Sequence, residues 1–398
     1  MLERLQATEL CAHAAEYRQR GLPDVAILFA QRGLLGGCDP VRVKAEIATS
    51  GFHSKRPYMR ALGARLCEEL TLDREFPEAA REVTWRNLFR YRKKLGDLAP
   101  SLQRWLPIRF EPPAGFYPMN PSIVNGPDGV IMNVRCVNYL IGTKNHGPTI
   151  TRNFLFHVEP SLEHSCLGEL DVSDVPIVSR EVVGLEDLRL WYLDGNLCAS
   201  ATSRQHNDER LCEMTVVSIE GGKATNFTVL QQPPGPKRHQ KNWMPVSDGS
   251  GRFVYSCDPT VVCGYGPSPA PGEIGVPPVS ARHWRGSSQL IPFDDGFLAI
   301  IHECPRDLDP VLCKPPYRQR FVWFDRELQI STFSLGWEFG HDSAGEYVCG
   351  MCEHPDGKRL VISYGVLDRE AWLATVSKDD VRAILKSPPS GTAEAFNV

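Results

Sequence analysis

Five times along the chain an apolar run meets an Asp-Gly pair and a second apolar run follows. The pairs are Asp128-Gly129, Asp194-Gly195, Asp248-Gly249, Asp295-Gly296 and Asp356-Gly357. Asp-Gly between apolar runs is a strong hairpin signal, because a tight hairpin turn needs backbone with φ > 0. Successive turn aspartates lie about 57 residues apart on average. Four short strands and a loop fill that length, and repeating such a unit around a ring protects the sheet edges. The repeat predicts a mainly β fold, a five-bladed β-propeller over 111–385. A β-sandwich would also use many short strands, but it gives no reason for a five-fold unit.

The first part of the chain has a different texture. Residues 1–110 show apolar positions at helical spacing in several runs: Leu5 to Tyr17, Val25 to Leu35, Tyr58 to Leu70 and Ala79 to Leu95, with a Gly-Leu-Pro break at 21–23. Short breaks and small residues at the contacts suggest α-helical hairpins of the tetratricopeptide sort. They would serve as a cap or as a surface for a protein partner. Prolines at 107, 112, 113, 118 and 121 end the helical texture. The segment 386–398, with Ser-Pro-Pro-Ser-Gly-Thr, reads as a disordered tail.

Composition narrows the function classes. The 398 residues are 42% hydrophobic and 23% charged, with a net charge of −4. No basic excess points to nucleic acid, and no apolar stretch is long enough to span a membrane. The N-terminus carries charges where a signal peptide has an apolar run. The thirteen cysteines follow no framework spacing. They read as reduced, mostly buried thiols of a cytoplasmic protein. Cys349-Gly-Met-Cys352 lacks the second pair that a structural zinc site needs, so no metal is expected. No Gly-x-Ser-x-Gly elbow, His-Glu-x-x-His or nucleotide-binding glycine loop is present.

In a propeller the innermost strand of each blade lines the channel, so polar groups at the starts of those strands converge. Here they are Asn120; Glu186 with Asp187 and Arg189; Lys241 with Asn242; Arg285 with Ser287; and, in the fifth blade, Asp342 and Glu346. Ends of the second strands add Arg135, His302 with Glu303, and Tyr364. Carboxylates with cations and a histidine around a concave site suit glycosyl transfer, in which an acid protonates the leaving oxygen. A structural ring of ion pairs is the competing reading for the cations.

Four of these stretches occur in the order of the blade motifs of glycoside hydrolase family 130, and the chain resembles that family over 115–376. They are Asn120-Pro121, Gly-Leu-Glu186-Asp187-Leu-Arg189, Lys241-Asn242-Trp-Met-Pro, and Arg285-Gly-Ser-Ser-Gln ahead of Asp295-Gly-Phe-Leu-Ala-Ile-Ile-His302. The family comprises β-mannoside phosphorylases and hydrolases with a five-bladed propeller, related to mannosyltransferases. The resemblance implies Asp187 as general acid. It implies Arg189, Lys241, His302 and Arg135 as holders of substrate or phosphate, and Asn120 and Asn242 as contacts to sugar hydroxyls. No cofactor is implied beyond phosphate, a sugar phosphate or a nucleotide sugar as co-substrate. Two positions depart from the pattern. Leu188 stands in place of a proline, and Glu303 follows His302 where the phosphorylases carry a small residue. A carboxylate at 303 would repel phosphate and could act as a base, which favours transfer or hydrolysis over phosphorolysis. The expectation is a carbohydrate-active enzyme that transfers a hexosyl, mannose-like group. The alternatives are a hydrolase of the same fold and a non-catalytic glycan-binding or scaffold propeller.

Overall fold

A computed structural model of the chain describes residues 6–89, 91–140, 147–265, 271–305, 317–341 and 345–386. Asp342 and the tail from 387 onward lie outside the described residues. Lys386, the first residue of the expected tail, pairs with Phe333 in an isolated bridge. The chain divides into two units: Met1–Arg92 with Pro278–Ser280, and Lys93–Pro277 with Ala281–Lys386.

The first unit is helical. Its helices span Ala7–Gln19, Pro23–Leu35, Pro40–His53, Pro57–Leu72 and Glu78–Leu88. Proline opens three of them, where its missing N–H costs nothing and its fixed φ suits the first turn. Pro23, Pro40 and Pro57 are evenly spaced, seventeen residues apart, so each pair of helices fills one hairpin of tetratricopeptide length. The helix Pro40–His53, absent from the runs read in the sequence, buries Val43, Ile47, Ala48, Ser50 and Gly51. The Asp39 side chain, which accepts from Val41 N at 3.1 Å, marks its start.

The second unit is a five-bladed β-propeller. The first blade is Tyr117–Gly126, Gly129–Val137, Thr149–Val158 and His164–Glu169. The second is Glu186–Leu193, Asn196–Ser203, Glu213–Glu220 and Lys223–Val229. The third is Met244–Pro245, Arg252–Cys257, Thr260–Gly264 and Gly272–Gly275. In the fourth, Arg285–Gly286 and Ile291–Phe293 both pair with Gly296–Glu303, followed by Arg318–Phe324 and Ile330–Phe333. The fifth is Glu346–Glu353, Arg359–Val366 and Glu370–Ser377. Its outermost strand is Gln103–Pro107, from the start of the unit. That closure removes an exposed edge. It also moves the domain boundary from the expected 110 back to Arg92, because a strand within 1–110 belongs to the last blade.

All five Asp-Gly pairs fall in hairpins, but with different turn chemistry. Asp194-Gly195 is a two-residue turn between Leu193 and Asn196, with φ values of 50° and 78°. In the first and fourth blades the glycine already pairs in the second strand, Gly129 with Gly126 and Gly296 with Phe293. There the turn residues are Pro127-Asp128 and Asp294-Asp295. Adjacent blades share apolar clusters. Ile123, Met132, Phe156 and Leu373 fill one, and Val124, Leu155, Leu188 and Ala199 the next. Trp191, Met214, Trp243 and Phe253 fill a third. A sheet buried on both faces reads as continuous apolar runs, which is why the repeat is visible in the sequence.

Candidate active site

Three polar residues at the starts of successive inner strands hold left-handed backbone: Asn120 (φ 43°), Asp187 (φ 52°) and Asn242 (φ 65°). Strand pairing slips at the first two, between Met119 and Ser122 and between Glu186 and Arg189. A bulge re-aims a side chain, and Asn and Asp are the residues that tolerate this conformation best. Such strain persists where surrounding contacts fix it. Here the contacts converge: Asn120 Nδ2 donates to Asp187 Oδ1 at 2.9 Å and Arg135 Nη1 donates to the same oxygen at 2.7 Å. Gly365 lets Asn120 reach that place, since a Cβ there would stand 2.7 Å from Asn120 N and press on its Oδ1. Gly365→Ala is therefore expected to displace Asn120 and cost about 1–3 kcal/mol. Chemical denaturation measures that loss, and an unchanged midpoint would contradict the packing argument.

Glu186 lies beside this pair and is divided between two cations. Lys241 Nζ donates to its Oε1 at 2.8 Å, and Arg135 Nη1 stands 3.8 Å from the same atom. The Asp187 side chain is 14% exposed and Arg135 5%, whereas Lys241 is 41% exposed. Burial is the largest influence on Asp187 and favours its neutral acid. Arg135, the Asn120 amide, Arg189 and Lys241 together outweigh it and hold the carboxyl well below the usual carboxylate range. Burial likewise opposes charge on Lys241, but Glu186 beside it raises its pKa above the ordinary value.

Arg189 occupies a different place from the one expected. It is fully buried, and each of its nitrogens donates to protein. Nε bonds Ser287 O at 2.6 Å and Nη1 bonds Asp187 O at 3.2 Å. Nη2 bonds Asn242 Oδ1 at 3.1 Å and Tyr347 OH at 2.8 Å. The guanidinium thus joins four blades through its bonds to protein. Asn242 Oδ1 is also taken, by Arg189 and by Tyr347 OH at 3.1 Å.

His302 meets Ser287, whose Oγ is 2.8 Å from Nδ1. The ring packs edge-on against Tyr317 and Tyr347 at centroid distances of 5.3 and 5.1 Å. Burial, then the charges of Arg189 and Arg285, lower its pKa to about 3, so the imidazole is neutral. The unfolded chain takes up a proton at this residue near pH 6.5 that the native state refuses. Stability is therefore expected to fall as pH drops from about 6.5 towards 3. His302→Gln should flatten that slope in denaturation series at stepped pH, and an unchanged slope would contradict the burial of a neutral ring.

Arg285 pairs in register with His302, so the two side chains are cross-strand neighbours. Its Nη1 donates to Arg282 O and Trp284 O, at 2.8 and 3.2 Å. Two expected site residues lie elsewhere. Glu303 follows His302 on one strand and so faces the opposite side of the blade. It is buried between Arg318 (3.1 Å) and Arg320 (3.2 Å), away from the Asp187 group. It is a structural ion pair, not a base in the channel. Tyr364 stacks on Phe339 at 3.7 Å in the apolar cluster of the fourth and fifth blades, and its OH meets His341 Nε2 at 2.9 Å. Glu346 accepts from the backbone N–H groups of Phe339, Gly340 and His341.

Four residues near the site were not singled out in the sequence: Tyr139, Tyr317, Tyr347 and Asp368. Tyr139 OH donates to Asp368 Oδ2 at 3.3 Å. Burial and then the Asp368 charge raise the pKa of Tyr139, and Asp187 contributes further. Burial likewise raises Tyr317 and Tyr347, with Asp187 adding to each. These phenols are neutral, and the hydroxyls of Tyr139 and Tyr347 donate to Asp368 and Asn242. Only the position of Tyr347 at the start of an inner strand could have marked it. Cys349 and Cys352 are buried thiols with raised pKa, Cys349 to about 12, and burial is the main cause. Among the described residues no group of three His, Cys, Asp or Glu side chains gathers as a metal site. No helix among them is long and apolar enough to cross a membrane.

No protein-family model matches the chain, and no curated protein matches it in sequence. Solved structures do. A β-1,2-mannobiose phosphorylase from Listeria innocua, solved with β-1,2-mannobiose, matches at a TM-score of 0.50 and 10% identity, over 71% of this chain and 98% of that one. A mannose phosphorylase from Leishmania mexicana, solved with phosphate, matches at 0.47 and 13% identity over 73% and 94%. A glycosyl hydrolase from Bacteroides ovatus matches at 0.47 and 13% identity over 65% and 84%. The fold of the second unit is thus the five-bladed propeller of the Listeria phosphorylase.

Proposed function

We propose that the chain is a carbohydrate-active enzyme that transfers the glycosyl group of a mannose-like hexoside in the propeller channel, with Asp187 handling the proton of the glycosidic oxygen. The observation that carries this reading is the Asp187 carboxyl, gripped by Asn120 and Arg135 at the mouth of a channel lined with neutral phenols and a neutral imidazole. The fold shared with a mannobiose phosphorylase agrees with it.

In the free site Asp187 is ionised, so it is not yet an acid. Its opposing influences make it switchable: burial favours the acid, and Arg135, the strongest of four groups, favours the anion. A substrate hydroxyl that draws Arg135 away weakens the hold on the anion and raises the proton affinity of the carboxyl. The acid then gives its proton to the glycosidic oxygen. The carbon–oxygen bond breaks, the leaving sugar departs as an alcohol, and the acceptor oxygen bonds to the anomeric carbon; a water or hydroxyl acceptor gives up its proton to solvent, from which Asp187 takes the proton it donates. With Glu303 turned away, no carboxylate at that position repels phosphate. Phosphate, a sugar hydroxyl and water all remain chemically competent acceptors, and Lys241 is the exposed cation that would meet an anionic one.

The second reading is a non-catalytic glycan-binding propeller. It is favoured by the saturation of Arg189 and of Asn242 Oδ1 with protein partners. A thermal-shift panel of hexosides, sugar phosphates and nucleotide sugars separates the two, since a ligand that binds the native state raises Tm. Turnover of a stabilising compound supports the enzyme. Stabilisation without turnover, with or without phosphate, supports the binding module.

A further inference from the structure

Beside the strand that carries Glu186 and Asp187 lies a cleft of about 940 Å³, lined in part by Val178, Arg180, Glu181, Arg204, Asp208 and Arg210. One wall is held by Gln205, which is almost fully buried. Its backbone O accepts from Val178 N and Ser179 N at 2.6 and 2.9 Å, and its Oε1 accepts from Gly184 N at 2.6 Å. Its Nε2 donates to Pro176 O at 3.1 Å. The 176–184 segment is therefore fixed before any ligand arrives, and it runs directly into Glu186.

The charges in the cleft are unevenly matched. Arg210 pairs with Glu181 at 2.7 Å. Arg204 uses only Nε, donating to Arg210 O at 3.1 Å. Among the described residues Arg180 has no hydrogen-bond or ion-pair partner. Arg180 and the terminal nitrogens of Arg204 thus have no carboxylate partner among the described residues. Arg210 holds left-handed backbone (φ 56°), unusual for a long side chain and fixed here by the loop. The apolar surface of Val178, 61% exposed, flanks them.

The cleft adjoins the strand ends near Glu186. Thr202 pairs with Glu186 across the second blade, and Arg204 lies two residues beyond Thr202. Arg204, Lys241 and Glu186 all act on the same thiol, Cys212. We propose that this cleft is a subsite for an oxyanion, a phosphate or carboxylate group, carried by the part of the substrate or acceptor that extends out of the channel. Guanidinium groups suit this task because they bind both kinds of oxyanion through paired N–H donors. The inference rests on the glycoside reading of the channel, but its test does not.

The test is isothermal titration of the full chain with inorganic pyrophosphate and, separately, with glucuronate. The proteins are the wild type, an Arg180→Ser/Arg204→Ser double variant and Lys241→Met. Both arginines are outside the apolar core, and an unchanged Tm confirms folding of the double variant. The expected result is saturable binding of at least one probe, weakened about tenfold or more in the arginine variant and less affected by Lys241→Met. The probe that binds tells phosphate from carboxylate. Absence of saturable binding to the wild type overturns the proposal. So does a loss in Lys241→Met that equals or exceeds the loss in the arginine variant, because the anion then sits in the channel. Turnover of a neutral glycoside by the same wild-type preparation reports on the channel alone, so either reading can fail without the other.

Discussion

Replacing Asp187 with Asn is expected to lower glycoside turnover by about 10²–10⁴-fold, the usual worth of a positioned proton donor. The amide keeps the shape of the carboxyl and an oxygen for Asn120 and Arg135, so the propeller should remain folded. What it loses is a group that can exist as carboxylate and as acid. The companion variant is Arg135→Met. It removes the strongest of the groups that hold Asp187 ionised and leaves burial, the largest influence, opposed only by Asn120, Arg189 and Lys241. The Asp187 pKa is then expected to rise, and carboxyl ¹³C shifts followed through a pH titration would show it. In the wild type the sign is the reverse. A carboxyl with a lowered folded pKa contributes stability above its ordinary pKa of about 4 and loses it as pH falls towards the folded value. Full turnover by Asp187→Asn would remove the residue from the chemistry. An Asp187 that stays ionised at low pH without Arg135 would remove the proposed switch.

Arg189→Met carries the largest expected effect on stability, a loss of about 3–5 kcal/mol, as found when one partner of a buried charged network is removed. Methionine fills much of the volume but takes the Arg189 donor from acceptors on four blades, Ser287 O, Asp187 O, Asn242 Oδ1 and Tyr347 OH, of which Asn242 Oδ1 keeps Tyr347 OH. Lysine should not rescue it, because one ammonium cannot serve three directions that the planar fork serves at once. Urea denaturation measures the loss. A variant within about 1 kcal/mol of wild type, the scale of one neutral hydrogen bond, would show that the blades hold their places without this residue.

The five-fold unit was legible because each blade buries both faces and turns at Asp-Gly, so local pattern and global fold agree. The closing strand Gln103–Pro107 was not, since its partner lies about 270 residues later in the chain and no local signal announces the pairing. The helix Pro40–His53 was missed although it buries as many residues as the helix before it, and the even spacing of prolines is the signal that marks it. Within the site, Asn120, Glu186, Asp187 and Lys241 could be found as polar groups starting apolar strands. Glu303 was misplaced although the two-residue period of a strand already forbids it the face of His302. Arg189 resisted the same logic because the bulge at Asp187 and Leu188 resets that period. Tyr139, Tyr317 and Asp368 lie beyond strand ends, where ring closure rather than sequence spacing sets the neighbours.

The most direct measurement is a crystal structure of Asp187→Asn soaked with a hexoside that raises Tm in the thermal-shift panel. The proposed chemistry predicts a sugar in the channel with its glycosidic oxygen about 3 Å from the residue 187 side chain, and Arg135 turned from that side chain towards the ligand. A sugar seated elsewhere on the propeller, or one in the channel with the Arg135 contact to residue 187 intact, would contradict it.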